Sequence, residues 1–306
     1  MLRFDFKINL ILVLISIFIV LIIINNSLCF KVPPYGFKNE YSSLPINKKF
    51  CIYDDSTDVN FITNNNGARV FKEATKSKNL KIFGDSQVLG LDISLEKNHF
   101  LKKLFSGYNL KLFAAPNNGP YEVLKSIELN TENNELIIIN FNSSTDIHRI
   151  NEYWNFKKNV TISNNHANFL ANFPVLFDFI SFINFYSSSD KPKLLNNYHM
   201  QDIFLNYENE EILKNFNLFF EKLRPILKAK NLNYEFFFTH PYWIYDRRGE
   251  KLSINMKVYE KYNKLEKILM QEYPFIRFSK IKNRDIGLNN LTFDKRHLRS
   301  NQFIFD

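Results

Sequence analysis

Leu80-Lys81-Ile82-Phe83-Gly84-Asp85-Ser86-Gln87-Val88-Leu89-Gly90 is the stretch on which the fold turns. It opens as a short apolar run, stops at a glycine, and continues into residues that tolerate a helix, which is how a βα unit begins. Ser86 falls directly after the strand and at the start of that helix. A hydroxyl there projects from the strand end, while the first helical amides point at any negative charge developing beside it. Gly84 permits a tight turn, and Gly90 is expected to let the following helix approach the sheet. The chain has 8 glycines in 306 residues, so two placed this close together are pointed. Gly-Asp-Ser alone is not, since residue frequencies produce it by chance in about one chain in ten or twenty.

Further along, the pattern repeats. Tyr108 to Ala115 alternates as a strand does and ends at Pro116. Asn117-Asn118-Gly119 then leads into Pro120 to Asn130, where Val123, Leu124 and Ile127 have helical spacing. Glu135 to Phe141 contains the continuous apolar run of a strand buried on both faces. Ile212, Leu213, Phe216, Phe220, Leu223 and Leu227 mark an amphipathic helix with Pro225 as a kink. Tyr234 to Thr239 reads as a strand, Val258 to Leu269 as a helix and Phe275 to Ile281 as a last strand. Strands alternating with helices predict an α/β three-layer α/β/α sandwich with a mostly parallel central sheet. Catalytic groups in such sheets lie beyond the carboxyl ends of the strands. Residues 151–207 break the alternation and are expected to be an insertion, a cap over the site.

The N-terminus is of another kind. Leu10 to Ile24 is apolar but for Ser16 and, as a helix, spans about 22 Å. That is short of the roughly 30 Å hydrocarbon core, although Phe6, Ile8 and Phe30 extend it. It is also long for a signal-peptide core, and Ser27-Leu28-Cys29 is a poor cleavage site. The expectation is a hydrophobic N-terminal helix over 1–30, with residues 8–24 in a membrane, acting as a signal-anchor or as a signal removed on secretion. A stalk or partly packed lead-in over 31–78, rich in polar residues and marked by Pro33-Pro34, then leads to a domain over 79–306. Cys29 and Cys51 are the 2 cysteines; with one at the membrane end, they are not expected to staple the main domain.

The net charge of +9 raises the question of nucleic acid. Its Lys and Arg are spread along the chain and mixed with Asp and Glu, which reads as a solvated basic surface, so no nucleic-acid partner is expected.

A serine nucleophile needs a base held in one tautomer. Of 6 histidines, His99, His166 and His199 fall in helical or inserted segments, and His148 and His240 follow strands. His297 has Asp294 three residues before it, in Leu291-Thr292-Phe293-Asp294-Lys295-Arg296-His297-Leu298, after the last strand. A carboxylate at that spacing reaches the imidazole N–H on a turn.

A Gly-Asp-Ser block after the first strand with an Asp-x-x-His block near the C-terminus resembles the SGNH, or GDSL-type, hydrolase superfamily. The resemblance covers about residue 80 to the C-terminus, apart from the insertion, and implies the flavodoxin-like fold of that superfamily. It implies Ser86 as nucleophile, His297 as base and Asp294 as its orienting acid. The oxyanion donors would be the amides of Ser86 and Gly119, with the side chain of Asn142, or alternatively Asn140, as the third. Here Ile139-Asn140-Phe141-Asn142-Ser143-Ser144 departs from the usual Gly-x-Asn-Asp block. No metal and no organic cofactor are implied.

His240 and Arg296 are further candidates for substrate contact, Arg296 with an anionic substrate. The implied activity is hydrolysis of an acyl ester on an envelope glycan or lipid, with the domain outside the cytoplasm. Two alternatives stay open: an O-acyltransferase served by an integral-membrane acyl donor, and a degenerate glycan-binding member without turnover.

Overall fold

A computed structural model describes residues 9, 11–20, 44, 46–54, 57–71, 78–90, 101, 104–115, 118–141, 198–239, 241, 244–248, 251–281, 286–287 and 303–305. The chain is an α/β protein with a mixed, mostly parallel central sheet and flanking helices. Five parallel strands form its centre: β4 (Asn79–Gly84), β5 (Asn109–Ala114), β6 (Leu136–Phe141), β7 (Asn233–Phe238) and β10 (Ile276–Ile281). They lie side by side in the order β5-β4-β6-β7-β10. Each stands within a residue or so of the strand expected from the sequence, because an apolar run or an apolar alternation is what a strand buried on one or both faces requires.

Part of the segment expected as a stalk or partly packed lead-in forms strands. β1 (Lys49–Asp54), β2 (Thr57–Thr63) and β3 (Arg69–Val70) form an antiparallel extension that joins the same sheet at β5. The polar run Asn64 to Gly67 is the turn between β2 and β3. Asn64 Oδ1 accepts the amides of Asn66 (2.9 Å) and Ala68 (3.0 Å), and Gly67 takes the left-handed φ of 74°. Asparagines with no periodicity are what a loop closed by its own side chains looks like. Cys51, on β1, is disulfide-bonded, and the sequence contains one other cysteine, Cys29. Both cysteines precede residue 79, so this bond does not bridge two points of the domain expected over 79–306.

The phenylalanines fill both faces of the sheet. On one, Phe83 stacks on Phe113 at 5.0 Å, and Phe141 meets Phe219 at 5.3 Å and Phe236 at 5.6 Å. Phe219 belongs to α4 (Asn209–Ala229), which follows α3 (Tyr198–Asn206). Its buried residues include the predicted Ile212, Phe216, Phe220, Leu223 and Leu227. Pro225 lies inside this helix. α2 (Pro120–Asn130) is tied to the end of α4 by Lys230, whose Nζ donates to Thr131 O at 2.6 Å. α5 (Met256–Glu272) ends at Tyr273, whose ring packs on Phe216 and Phe220. On the opposite face, Phe105 meets Phe237 edge-on at 5.8 Å. Each such ring, fully buried, stabilises the fold by about 1.5–3 kcal/mol.

A small second sheet, β8 (Tyr245–Arg248), β9 (Lys251–Ile254) and β11 (Ile286–Gly287), follows the carboxyl ends of β7 and β10 in the chain. A last strand, β12 (Phe303–Phe305), pairs antiparallel with β10. Of the expected insertion, 151–197 lies outside the described residues. Residues 11–20 are helical with every side chain exposed, as expected of a hydrophobic N-terminal helix. Among the described residues, no helix is long and apolar enough to cross a membrane.

Candidate active site

The parallel strands reverse direction of travel at β4: the chain goes first to β5 on one side, then past β4 to β6 on the other. At such a switch point two successive connections leave in opposite directions and open a crevice beyond the strand ends. Gly84 and Asn140 are register partners at that end of β4 and β6. Ser86 is two residues beyond Gly84 and half-buried.

Ser86 opens α1 (Ser86–Leu89), a helix of only 4 residues. Asp85 caps it: its Oδ1 accepts the Gln87 N–H at 2.8 Å. This buried carboxylate therefore has a structural duty. At the other end, Gly90 has φ 62° and ψ 59° and donates its N–H to Ser86 O at 3.2 Å. Gly90 ends the turn in a left-handed conformation that other residues resist.

Gly84 owes its identity to crowding. A Cβ there would lie 2.4 Å from Asn140 O and 2.4 Å from Val88 Cγ2. The absence of a side chain is what lets α1 rest directly on the β4–β6 seam.

The loop after β5 is fastened to the same point. Asn118, 1% exposed, donates its Nδ2 to Gly84 O at 3.1 Å. Sequence reasoning passed over this residue for its neighbour Gly119; the signal was an asparagine at a βα loop, where a side-chain amide can bind a backbone carbonyl. Gly119 is the N-cap of α2 with Pro120 at its first position. The Gly119 N–H, expected to serve an oxyanion, donates instead to Glu122 Oε2 at 3.0 Å, the N3 half of a capping box. In this state that donor is committed to the helix.

Asn140 is 0% exposed, and among the described residues neither its Nδ2 nor its Oδ1 has a hydrogen-bond partner. An amide so placed costs about 1–3 kcal/mol, and its atoms are closed to any ligand in this state. Thr239 closes the far side: its N–H and Oγ1 both donate to Phe141 O, at 2.9 and 3.2 Å. This pins the end of β7, and the chain entering His240, to the end of β6.

Asp294, His297, Arg296, His240 and Asn142 lie outside the described residues. The structure thus brings together Ser86, Asn118, Gly119 and Asn140 at one sheet end. Among the described residues, no group of His, Cys, Asp and Glu is arranged to hold a metal ion. No protein-family model matches the chain, and no curated protein sequence matches it.

Proposed function

We propose that this protein is a serine-dependent acyl-ester hydrolase of the SGNH type, acting on an acylated envelope glycan or lipid through an acyl-enzyme on Ser86. The observation that carries the reading is the position of Ser86: at the head of a capped helical turn, beyond the strand where the parallel sheet reverses. The strand order β5-β4-β6-β7-β10 is the second-first-third-fourth-fifth order of flavodoxin-like sheets, and helices or rings pack on both sheet faces. Both features support the three-layer SGNH sandwich that the Gly-Asp-Ser and Asp-x-x-His blocks imply.

In this reading His297, oriented by Asp294, takes the Ser86 proton as Oγ attacks the ester carbonyl. Collapse of the tetrahedral species expels the alcohol, which takes that proton from His297. Water then attacks the acyl-enzyme, releasing the acid and restoring Ser86. The Ser86 amide and Asn142 Nδ2 hold the oxyanion, each donor contributing on the order of 3 kcal/mol. Gly119 joins them once Glu122 releases its N–H. Arg296 and His240 meet the substrate beyond the acyl group.

The exposed apolar helix at residues 11–20 supports a membrane tether through residues 8–24, since an apolar surface of that kind requires a partner. The disulfide at Cys51 fits a domain outside the cytoplasm, where disulfides persist.

The test is a fluorophosphonate probe on the full chain in detergent. Ser86 Oγ forms a P–O bond as fluoride leaves, and mass spectrometry locates the adduct. Ser86-dependent hydrolysis of p-nitrophenyl acetate completes the test, and diversion of the acyl group to an added glycan would identify a transferase. No adduct and no Ser86-dependent turnover would sink both enzymatic forms. The commitment of Gly119 N–H to Glu122 favours, as a second reading, a glycan-binding member without turnover.

The third oxyanion donor is open to its own measurement. Asn142→Ala is expected to lower kcat about 10²–10³-fold. Asn140→Leu, removing an unpartnered amide of similar shape, is expected to keep turnover and raise stability by about 1 kcal/mol in urea unfolding. The opposite pattern in kcat would transfer the role to Asn140.

A further inference from the structure

Arg69 is a cation in a place that a core normally gives to an apolar side chain. It is 1% exposed, on β3, in register with Leu112 of β5. Its guanidinium carbon stands 4.7 Å from the ring centroid of Phe61 and 5.2 Å from that of Phe71. Its Nη1 donates to Leu89 O and to Gly90 O, both at 2.6 Å. Taking a guanidinium out of water is costly, and the bonds it makes inside must offset that cost.

Those two carbonyls close the C-terminal end of α1. A single helical turn cannot hold its own shape, because fixing its dihedrals consumes more freedom than its few hydrogen bonds return. α1 is therefore held from outside: Asp85 grips the Gln87 amide in its first turn, and Arg69 grips its last carbonyls. A positive charge is also well placed against the partial negative charge at a helix C-terminus. Ser86 stands at the other end of the same turn, so its position depends on both grips.

We propose that Arg69 is a positioning residue for Ser86, its guanidinium over the rings of Phe61 and Phe71 fixing the one-turn helix that sets the Ser86 hydroxyl and amide toward an incoming acyl group. The proposal rests on Ser86 being the nucleophile. It gives the β1–β3 extension a function: it carries to the nucleophile's turn a cation that none of the five parallel strands supplies.

The experiment is fluorophosphonate labelling of the full chain in detergent, reading the maximal labelling rate and the probe concentration at half of it. Circular dichroism gives the folded fraction of each variant. Arg69→Met is expected to lower the maximal rate about 100-fold per folded molecule, the scale of an ångström-sized misplacement, with the half-saturating concentration unchanged. Arg69→Lys, which keeps a cation but loses the planar guanidinium and its forked donors, is expected to lose about tenfold. A residue of merely structural importance would reduce the folded fraction and leave the rate per folded molecule intact. That result, or a wild-type rate in Arg69→Lys should Arg69→Met not fold, overturns the proposal. A wild-type chain unlabelled at Ser86 removes the nucleophile, and the positioning role with it, before any Arg69 variant is compared, so the two failures are distinguishable.

Discussion

Ser86→Ala is expected to reduce ester turnover by at least about 10⁴-fold while leaving stability within about 1 kcal/mol of wild type. The asymmetry follows from where the residue sits. The hydroxyl belongs to a half-buried side chain at the first position of α1, and the cap of that helix is supplied by Asp85 rather than by Ser86. Alanine is a good helix former and leaves the Asp85 cap and the Arg69 contacts in place. Chemistry, by contrast, loses the atom that forms the acyl bond. What survives is the smaller contribution of binding and of the oxyanion donors, which persists when a nucleophile is removed. Steady-state hydrolysis and thermal unfolding of the same preparation check both halves. Wild-type turnover in Ser86→Ala would remove the acyl-enzyme.

Gly84→Ala is expected to be the most damaging single-methyl change in the sheet. The added carbon would stand 2.4 Å from Asn140 O and from Val88 Cγ2. Neither neighbour yields easily. Asn140 O is backbone of the central strand β6, and Val88 is a fully buried β-branched side chain with little rotamer freedom. The structure must either spread the β4–β6 pair or lift α1 from the seam. Overpacking of this kind costs about 1–3 kcal/mol and at times more. Lifting α1 also displaces Ser86, so turnover is expected to fall about 100-fold beyond the loss of folded protein. A second substitution separates the two contacts. Val88→Ala in the Gly84→Ala background makes room on the helix side alone, so it should restore part of the stability and not all of it. A double-mutant cycle in urea measures that coupling, and strict additivity would show that Val88 is not the obstacle.

Much of the fold was legible in the sequence. The five parallel strands and helices α2, α4 and α5 each carry a continuous or periodic apolar pattern, and their predicted bounds agree with the structure to within a few residues. Ser86 was legible for a related reason: a short apolar run, a glycine, and a small polar residue at a helix start are neighbours in sequence as well as in space. Contacts between residues far apart in the chain were not. The polar run after β2 read as a stalk because a loop closed by asparagine side chains has no periodicity. Only the pairing of β3 with β5 reveals that it brings Arg69 to the end of α1. Asn118 likewise acquires meaning through Gly84 O, and Gly119 loses its free N–H to Glu122, both outcomes of side-chain geometry.

By itself, then, the sequence determined the five parallel strands, the helices α2, α4 and α5, and which serine heads a turn, because local propensity and hydrophobic period are properties of neighbouring residues. The tertiary structure alone decided the strand order that puts Ser86 at the switch point, the crowding that requires glycine at position 84, and the buried arginine that holds the turn. Those depend on burial and hydrogen bonding between distant segments, which exist only once the chain has closed on itself.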